Sequence, residues 1–448
     1  MSNDHRPLSF LERCGLHRPE LRAWAMYDWA NSAFILVIIT AVFPFYYSQV
    51  AAAELEKSTR LSYFGWTTTG ALAAVAVLSP ILGALADYLG RRKRMMAGFL
   101  GLGVVATCCM VFIGEGDWPL ALLLFALGNL GIALSFVFYD SFLPHIADGK
   151  EIDRVSAAGY ALGYLGSGLL LILNLWWINQ PETFGIADAG TATRLAFVSV
   201  GLWWAGFSIP LFRRVPEPPR QIEADEVGAA SAIRVTFRRL LETFRELRGG
   251  YRQAFLMLLA FLIYNDGIGT IIRMAAIYAD DQGLPQKSVI IAILLVQFVG
   301  IPCALVFGNV AVRIGTKRAI LIGVGVYMVI SIVAYKMETI REFYVLAILV
   351  ALVQGGTQAL SRSLFASMIP KHKASEFFGF FAVFEKFAGI LGPLIFTLMI
   401  GLTGSSQRAI LSVIAFFVVG GLLLTRVDVA TGQREAKEAE ARVLAKSA

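Results

Sequence analysis

Charge is scarce in this chain. Asp, Glu, Lys and Arg make up only 16% of its 448 residues, while 57% are hydrophobic and the mean hydropathy is +0.66. A soluble globular domain carries far more charge, so the composition excludes one. Cysteine is equally sparse. Cys14, Cys108, Cys109 and Cys303 show no ligand spacing, and two are adjacent in an apolar run, so they read as reduced packing residues. The four histidines, His5, His17, His145 and His372, stand in or beside polar connecting segments. There is no zinc motif, no nucleophile elbow and no phosphate-cradling loop ending in Gly-Lys-Ser/Thr. ATP-driven chemistry is therefore excluded, and neither an enzyme nor a cofactor is expected. The first 22 residues hold four arginines but no short apolar core ending in a cleavage site, so the chain is expected to open on an uncleaved span.

Long apolar runs fill the space that charge leaves. A spanning helix takes about 20 apolar residues, and the pattern predicts twelve of them. Their approximate limits are 24–49, 63–86, 94–114, 119–144, 156–178, 192–212, 252–279, 288–308, 318–335, 343–369, 375–400 and 409–426. Of the 39 lysines and arginines, 29 fall in the termini and the loops after even-numbered spans, counting helix-end residues with their loops. Seven fall in the opposite loops and three inside spans. The positive-inside rule then places both termini in the cytoplasm. Trp118, Trp176, Trp177, Tyr46 and Tyr47 fall at the outer interface and Trp24 at the inner one, as an aromatic belt requires. The net charge of +7 is thus topology and not a nucleic-acid surface.

The chain repeats itself. Gly83-Ala-Leu-Ala-Asp87-Tyr-Leu-Gly90-Arg91-Arg92-Lys93-Arg94 stands between spans 2 and 3. Gly308-Asn-Val-Ala-Val-Arg313-Ile-Gly315-Thr316-Lys317-Arg318 stands between spans 8 and 9, 225 positions on. Leu143-Pro144 and Ile369-Pro370, ending spans 4 and 10, are 226 apart. Two landmarks at one offset predict a parallel six-plus-six repeat. The expected division is residues 1–212 for the first half, 213–251 for a linker, 252–426 for the second half and 427–448 for a tail. In the linker Ile233, Phe237, Leu240, Leu241, Phe244 and Leu247 share one face, with arginines interleaved, which predicts a helix lying on the inner membrane surface. The mixed-charge tail is expected to be solvated and dispensable.

The Gly-x-Leu-Ala-Asp-x-x-Gly-Arg-Arg-Lys hairpin resembles the loop between spans 2 and 3 of the major facilitator superfamily; the second copy lacks the acidic residue. Within that superfamily three further runs resemble one branch. They are Tyr27-Asp28-Trp29-Ala30-Asn31-Ser32 in span 1, Arg154-Val155-Ser156-Ala157-Ala158-Gly159-Tyr160 opening span 5, and Gly355-Gly356-Thr357-Gln358-Ala359-Leu360-Ser361-Arg362-Ser363 in span 10. The branch includes the fungal autophagy-related vacuolar amino-acid effluxer and its bacterial relatives. The resemblance implies an all-α polytopic membrane protein with the major facilitator fold, two pseudo-symmetric halves of six transmembrane helices each. It implies transport of small solutes, and it assigns Asp87, Gly90 and Arg91 to a conformational latch. Asp87 could serve by capping the positive N-terminal end of span 11 across the halves.

Ionisable side chains survive inside a bilayer mainly where they pair or line a wet cavity. The short list here is Asp28, Asp140, Asp266, Arg273, Arg362, Glu385 and Lys386. Asp266 and Arg273 lie two turns apart on one face of span 7. Asn265, Gly267 and Gly269 are expected to loosen that helix, so Asn265, Asp266 and Arg273 are expected to line the cavity. Arg362 offers a fork suited to a substrate carboxylate, or else pairs with Asp28 or Glu385 to hold a closed state. Asn31, small and uncharged, is expected to touch substrate. Asp140, four residues from Pro144, is expected to act as a gate or packing acid. Glu385 lies ~15 Å deep at 1.5 Å per residue. Together with Asp28 and Asp266 it is a candidate proton site. Its neighbour Lys386 points about 100° away and is expected to pair elsewhere.

The function expected is secondary active transport of a small polar solute, an amino acid or short peptide, by alternating access with proton coupling. The partners expected are that solute, a proton or other ion, and the lipid bilayer of a bacterial inner membrane, with the protein a monomer. A lysolipid or other amphiphile transporter and a non-transporting membrane sensor are the alternatives.

Overall fold

Twelve apolar runs with no polar partner outside themselves must satisfy their backbones internally, and they do so as helices. The structure is a computed structural model describing residues 9–219, 245–389 and 391–447; the stretch 220–244, which holds most of the expected surface helix, lies outside the described residues. The spans are α1 (Pro19–Ala51), α2 (Lys57–Leu89), α3 (Arg92–Phe112), α4 (Trp118–Ile146), α5 (Lys150–Asn179), α6 (Ala189–Arg214), α7 (Arg252–Asp281), α8 (Gln286–Ile314), α9 (Thr316–Tyr335) and α10 (Ile340–Ala366). Then come α11, in two stretches (Ala374–Phe387 and Leu391–Thr403), and α12 (Ser406–Arg426). No strand occurs among the described residues. Several helices run well past their apolar cores, because backbone hydrogen bonding continues through the interface on polar residues.

The halves meet along two pairs of helices that the repeat relates to each other, α2 with α11 and α5 with α8. The two hairpin glycines explain the closeness. A Cβ on Gly83 would stand 2.2 Å from the Ser375 carbonyl oxygen, and a Cβ on Gly308 2.6 Å from the Ala157 Cβ. Both hairpins turn on glycine with positive φ, Gly90 at 61° and Gly315 at 94°, a conformation that glycine adopts without a Cβ penalty.

Two sequence expectations are corrected. It is α11, not α7, that is interrupted: α7 runs unbroken through Asn265, Gly267 and Gly269, while α11 closes its first stretch at Ala388. Neighbouring helices flank the glycines of α7 and hold it regular; Gly267 faces the ring of Phe417 and Gly420 lies on the backbone of Tyr264. The tail is not simply solvated. Residues Val429–Ser447 form a further helix, α13, with Ala436 buried. Its Gln433 side chain donates to Ser367 Oγ at 3.2 Å, and its Glu440 accepts the Lys371 backbone N–H at 2.8 Å.

Candidate functional site

The described ends of the chain and the hairpins after α2, α4, α8 and α10 lie on one face of the bundle, called here the terminal face: Arg18 meets Glu151, Arg92 the Lys371 carbonyl, Thr316 Asp153, and Lys371 Glu440. Cross-half hydrogen bonds gather there. The central one belongs to Arg362 of α10, which is 3% exposed. Its Nη2 lies 3.1 Å from Asp28 Oδ2 of α1 and its Nη1 3.2 Å from Asp140 Oδ1 of α4. Its Nε donates to Ser156 Oγ of α5 at 2.9 Å, and that hydroxyl donates back to the Ala359 carbonyl at 2.7 Å. The rings of Trp24, Tyr139 and Tyr160 surround the guanidinium, with centroids 4.7, 5.6 and 4.9 Å from Cζ. Arginine suits this site because its flat, weakly hydrated fork accepts both carboxylates and aromatic faces. One second-half residue thus binds three helices of the first half.

Two carboxylates share one guanidinium in a closed space. Asn31, one turn from Asp28, is fully buried, and among the described residues its amide nitrogen has no hydrogen-bond partner.

Asp87 caps α11. Its Oδ2 accepts the Glu376 backbone N–H at 2.9 Å, where the helix dipole favours negative charge. The basic partner of Asp87 is Arg92, at 2.7 Å. Gly90 turns the chain and Arg91 sits outside the helix, so Arg92 is the first side chain to return toward α2, buried while Arg91 is exposed. Gly90 is the turn itself.

The second hairpin lacks an acid, and the acid stands on the other partner. Asp153, in the first turn of α5, accepts from Thr316 Oγ1 at 2.7 Å and from Ser363 Oγ at 2.5 Å. Sequence reasoning missed Asp153, Arg92 and Ser156. The signal available was an acid in the first turn of a helix, two residues before the Val155–Gly159 run.

Further along, α7 faces the interruption in α11. Arg273 Nη1 donates to the Gly389 carbonyl at 3.0 Å, and Asp266 Oδ2 accepts the Gly392 N–H at 2.9 Å. Asp266 and Asn265 are buried and Arg273 is exposed. Glu385 is half-exposed and lies 3.3 Å from Lys386 Nζ. Their Cα–Cβ bonds diverge as expected, yet both side chains are long enough to meet. The structure therefore separates the sequence candidates into two groups. Asp28, Asn31 and Arg362 lie at the terminal-face lock, while Asn265, Asp266, Arg273 and Glu385 lie around the interruption of α11.

A twelve-helix bundle in two repeated halves, with ionisable groups buried where the halves meet, defines a major facilitator transporter. Solved structures agree: the proton:xylose symporter XylE bound to 6-bromo-6-deoxy-D-glucose superposes with a TM-score of 0.68 at 14% identity, over 96% of this chain and 98% of that one. The human organic anion transporter MFSD10 (TETRAN) also gives 0.68, at 13% identity, over 91% and 99%. Residues 17–437 match the family model "Vacuole effluxer Atg22 like", and the chain belongs to that family. It is 39% identical over 408 residues to the uncharacterized MFS-type transporter YxiO of Bacillus subtilis (strain 168), covering 90% of this chain and 94% of that protein. It is 24% identical over 439 residues to autophagy-related protein 22-1 of Phaeosphaeria nodorum, covering 84% and 77%.

Proposed function

We propose that this chain moves a small polar solute, an amino acid or short peptide, across a bacterial inner membrane by alternating access coupled to protons, as a monomer with both termini in the cytoplasm. The observation that carries the reading is the Arg362 lock. It joins the halves at one face through charges that a substrate or a proton can compete for. A carboxylate solute would bind Arg362 in place of Asp28 or Asp140, with Asn31 free to bond it. A proton on Asp28, Asp266 or Glu385 would change the charge balance that holds the closed face. Asp87, with Gly90 and the flanking arginines, serves as the latch on α11, biasing the equilibrium without touching solute. Alternating access needs such paired contacts to be made in one state and broken in the other.

The experiment is uptake and efflux by the full chain in proteoliposomes, preceded by thermal-shift screening of amino acids, dipeptides, sugars, nucleosides and lysophospholipids. A ligand at 100 times its Kd stabilises by about 2.7 kcal/mol. Amino-acid or dipeptide hits that Arg362→Ala abolishes, with flux driven by a pH gradient, support the reading. Hits confined to lysophospholipids would sink it in favour of an amphiphile transporter.

A further inference from the structure

The interruption of α11 is held from both sides by one helix. Asp266 of α7 binds the N-terminal end of the second stretch of α11 through Gly392 N–H, and Arg273, two turns along α7, binds the Gly389 carbonyl. Each charge meets the backbone group of opposite polarity, a carboxylate at amides and a guanidinium at a carbonyl. Asp266 is 1% exposed, and among the described residues its second oxygen, Oδ1, is buried without a hydrogen-bond partner. A buried carboxylate oxygen left unbonded is costly, and a proton or a ligand arriving at Oδ1 would relieve that cost.

The space favours the smaller of the two. A Cβ built on Gly392 would stand 1.8 Å from Thr270 Oγ1, 3.0 Å from the Asp266 carbonyl oxygen and 3.0 Å from Asp266 Oδ1. Three oxygens converge beside this glycine, and a proton is the ligand that takes up least of that space.

We propose that Asp266 is the coupling acid, and that its proton is read by the outer stretch of α11. The inference rests on the transport reading above and selects among its three acids. With Asp266 charged, the bond to Gly392 is charge-assisted and roughly twice as strong as a neutral one, and the second stretch of α11 is clamped to α7. A proton arriving at Oδ1 from the opposite face removes that charge. The cap weakens, Arg273 loses its counter-charge, and the second stretch of α11 is released to move toward the first half. Low pH therefore favours release and high pH favours the clamped state.

The charged groups around the acid are few. Arg273 acts on Asp266 from its own helix, and Glu385 acts in turn on Arg273 from α11 beside Lys386. The charges of α8 (Lys287, Arg313) and α12 (Arg408, Arg426) lie at helix ends, and those of α13 lie at the terminal face. On α10, Arg341 and Glu342 lie in the first turn and Arg362 is held by Asp28 and Asp140.

The test is hydrogen–deuterium exchange of the full chain in nanodiscs, following the 391–403 segment across pH in sodium-free choline buffer, corrected for intrinsic exchange. The expected result is about tenfold loss of protection in that segment as pH falls, with Asp266→Asn unprotected at every pH. Asp266→Glu keeps a titratable acid and is expected to respond with a displaced midpoint, which keeps the test open should Asp266→Asn not fold. A pH-independent segment in the unsubstituted chain overturns the proposal, as does a response in Asp266→Asn or Asp266→Glu that is the same as in the unsubstituted chain. A response that appears only when sodium replaces choline overturns it in favour of sodium. No solute is needed, so the outcome is separate from transport. Flux without this pH response sinks the coupling assignment alone, and the pH response without flux of any solute sinks the transport reading alone.

Discussion

Arg362 and Asp28 are 334 residues apart in sequence and 3.1 Å apart in space, each almost fully buried. Neither could be held in the membrane alone at tolerable cost. Their pairing ties the half that begins the chain to the half that ends it.

Removing one partner of a buried ion pair typically costs about 3–5 kcal/mol, because the other charge is left uncompensated. Arg362→Gln is therefore expected to open the terminal face strongly, leaving Asp28 and Asp140 facing one another. Asp28→Asn is expected to open it less, since Asp140 still holds the guanidinium. The check is the rate at which a cysteine introduced at Ser141, buried under Ser375, reacts with a membrane-impermeant thiol reagent.

The hairpin glycines should be intolerant of bulk in one state only. Gly83→Leu and Gly308→Leu each place side-chain atoms where the opposing helix already stands. Overpacking of this kind costs about 1–3 kcal/mol. Both variants are expected to fold and to lose the terminal-closed state, seen as raised labelling at the same Ser141 cysteine. Equal labelling in variant and unsubstituted protein would remove the closed interface as the reason for those glycines.

Asp153 and Thr316 are expected to behave as one unit. Asp153→Ala and Thr316→Val each break a 2.7 Å bond across the halves. In a double-mutant cycle on thermal stability their coupling should fall at about 0.5–3 kcal/mol, whereas Asp153 with Asp87, on different helices and in the other hairpin's contacts, should add independently.

The C-terminal helix is expected to matter. Deleting 428–448 removes the Glu440 cap on Lys371 and the Gln433 bond to Ser367. It also uncovers a cavity of about 220 Å³ between the Asp148–Gly149 turn and the α10–α11 turn. The deletion should lower the thermal midpoint and speed labelling at the terminal face; Glu440→Ala alone should reproduce part of the effect.

Glu385→Gln separates the two acids near α11. Glu385 is bonded to Lys386 and half-exposed, so its loss should leave the pH response of the 391–403 segment in place while Asp266→Asn removes it. A Glu385→Gln variant that loses the response would move the coupling acid to α11.

Hydropathy and charge carry local information, and what they encode was legible. Twelve runs and the motifs at Asp28, Asp87 and Arg362 are each contained in a short window, and the repeat shows as two such windows 225 residues apart, because a spanning helix must satisfy its own backbone and a repeat must repeat its turns. The interruption of α11 was not legible. Gly389 and Gly392 look no more disruptive than Gly267 and Gly269, and which pair breaks its helix depends on what faces it: Asp266 and Arg273 stabilise the freed backbone groups of α11, whereas close packing against α12 keeps α7 regular. Arg91 and Arg92 were likewise indistinguishable until the Gly90 turn fixed which one points inward. Asp153 carried no motif, since its meaning lies in two hydroxyls more than 160 residues away. Sequence alone determined that this chain crosses a membrane twelve times in two related halves. Which charges meet Arg362 was decided only by tertiary structure, because a buried charge is defined by its partner, and its partners Asp28 and Asp140 come from the other half of the chain.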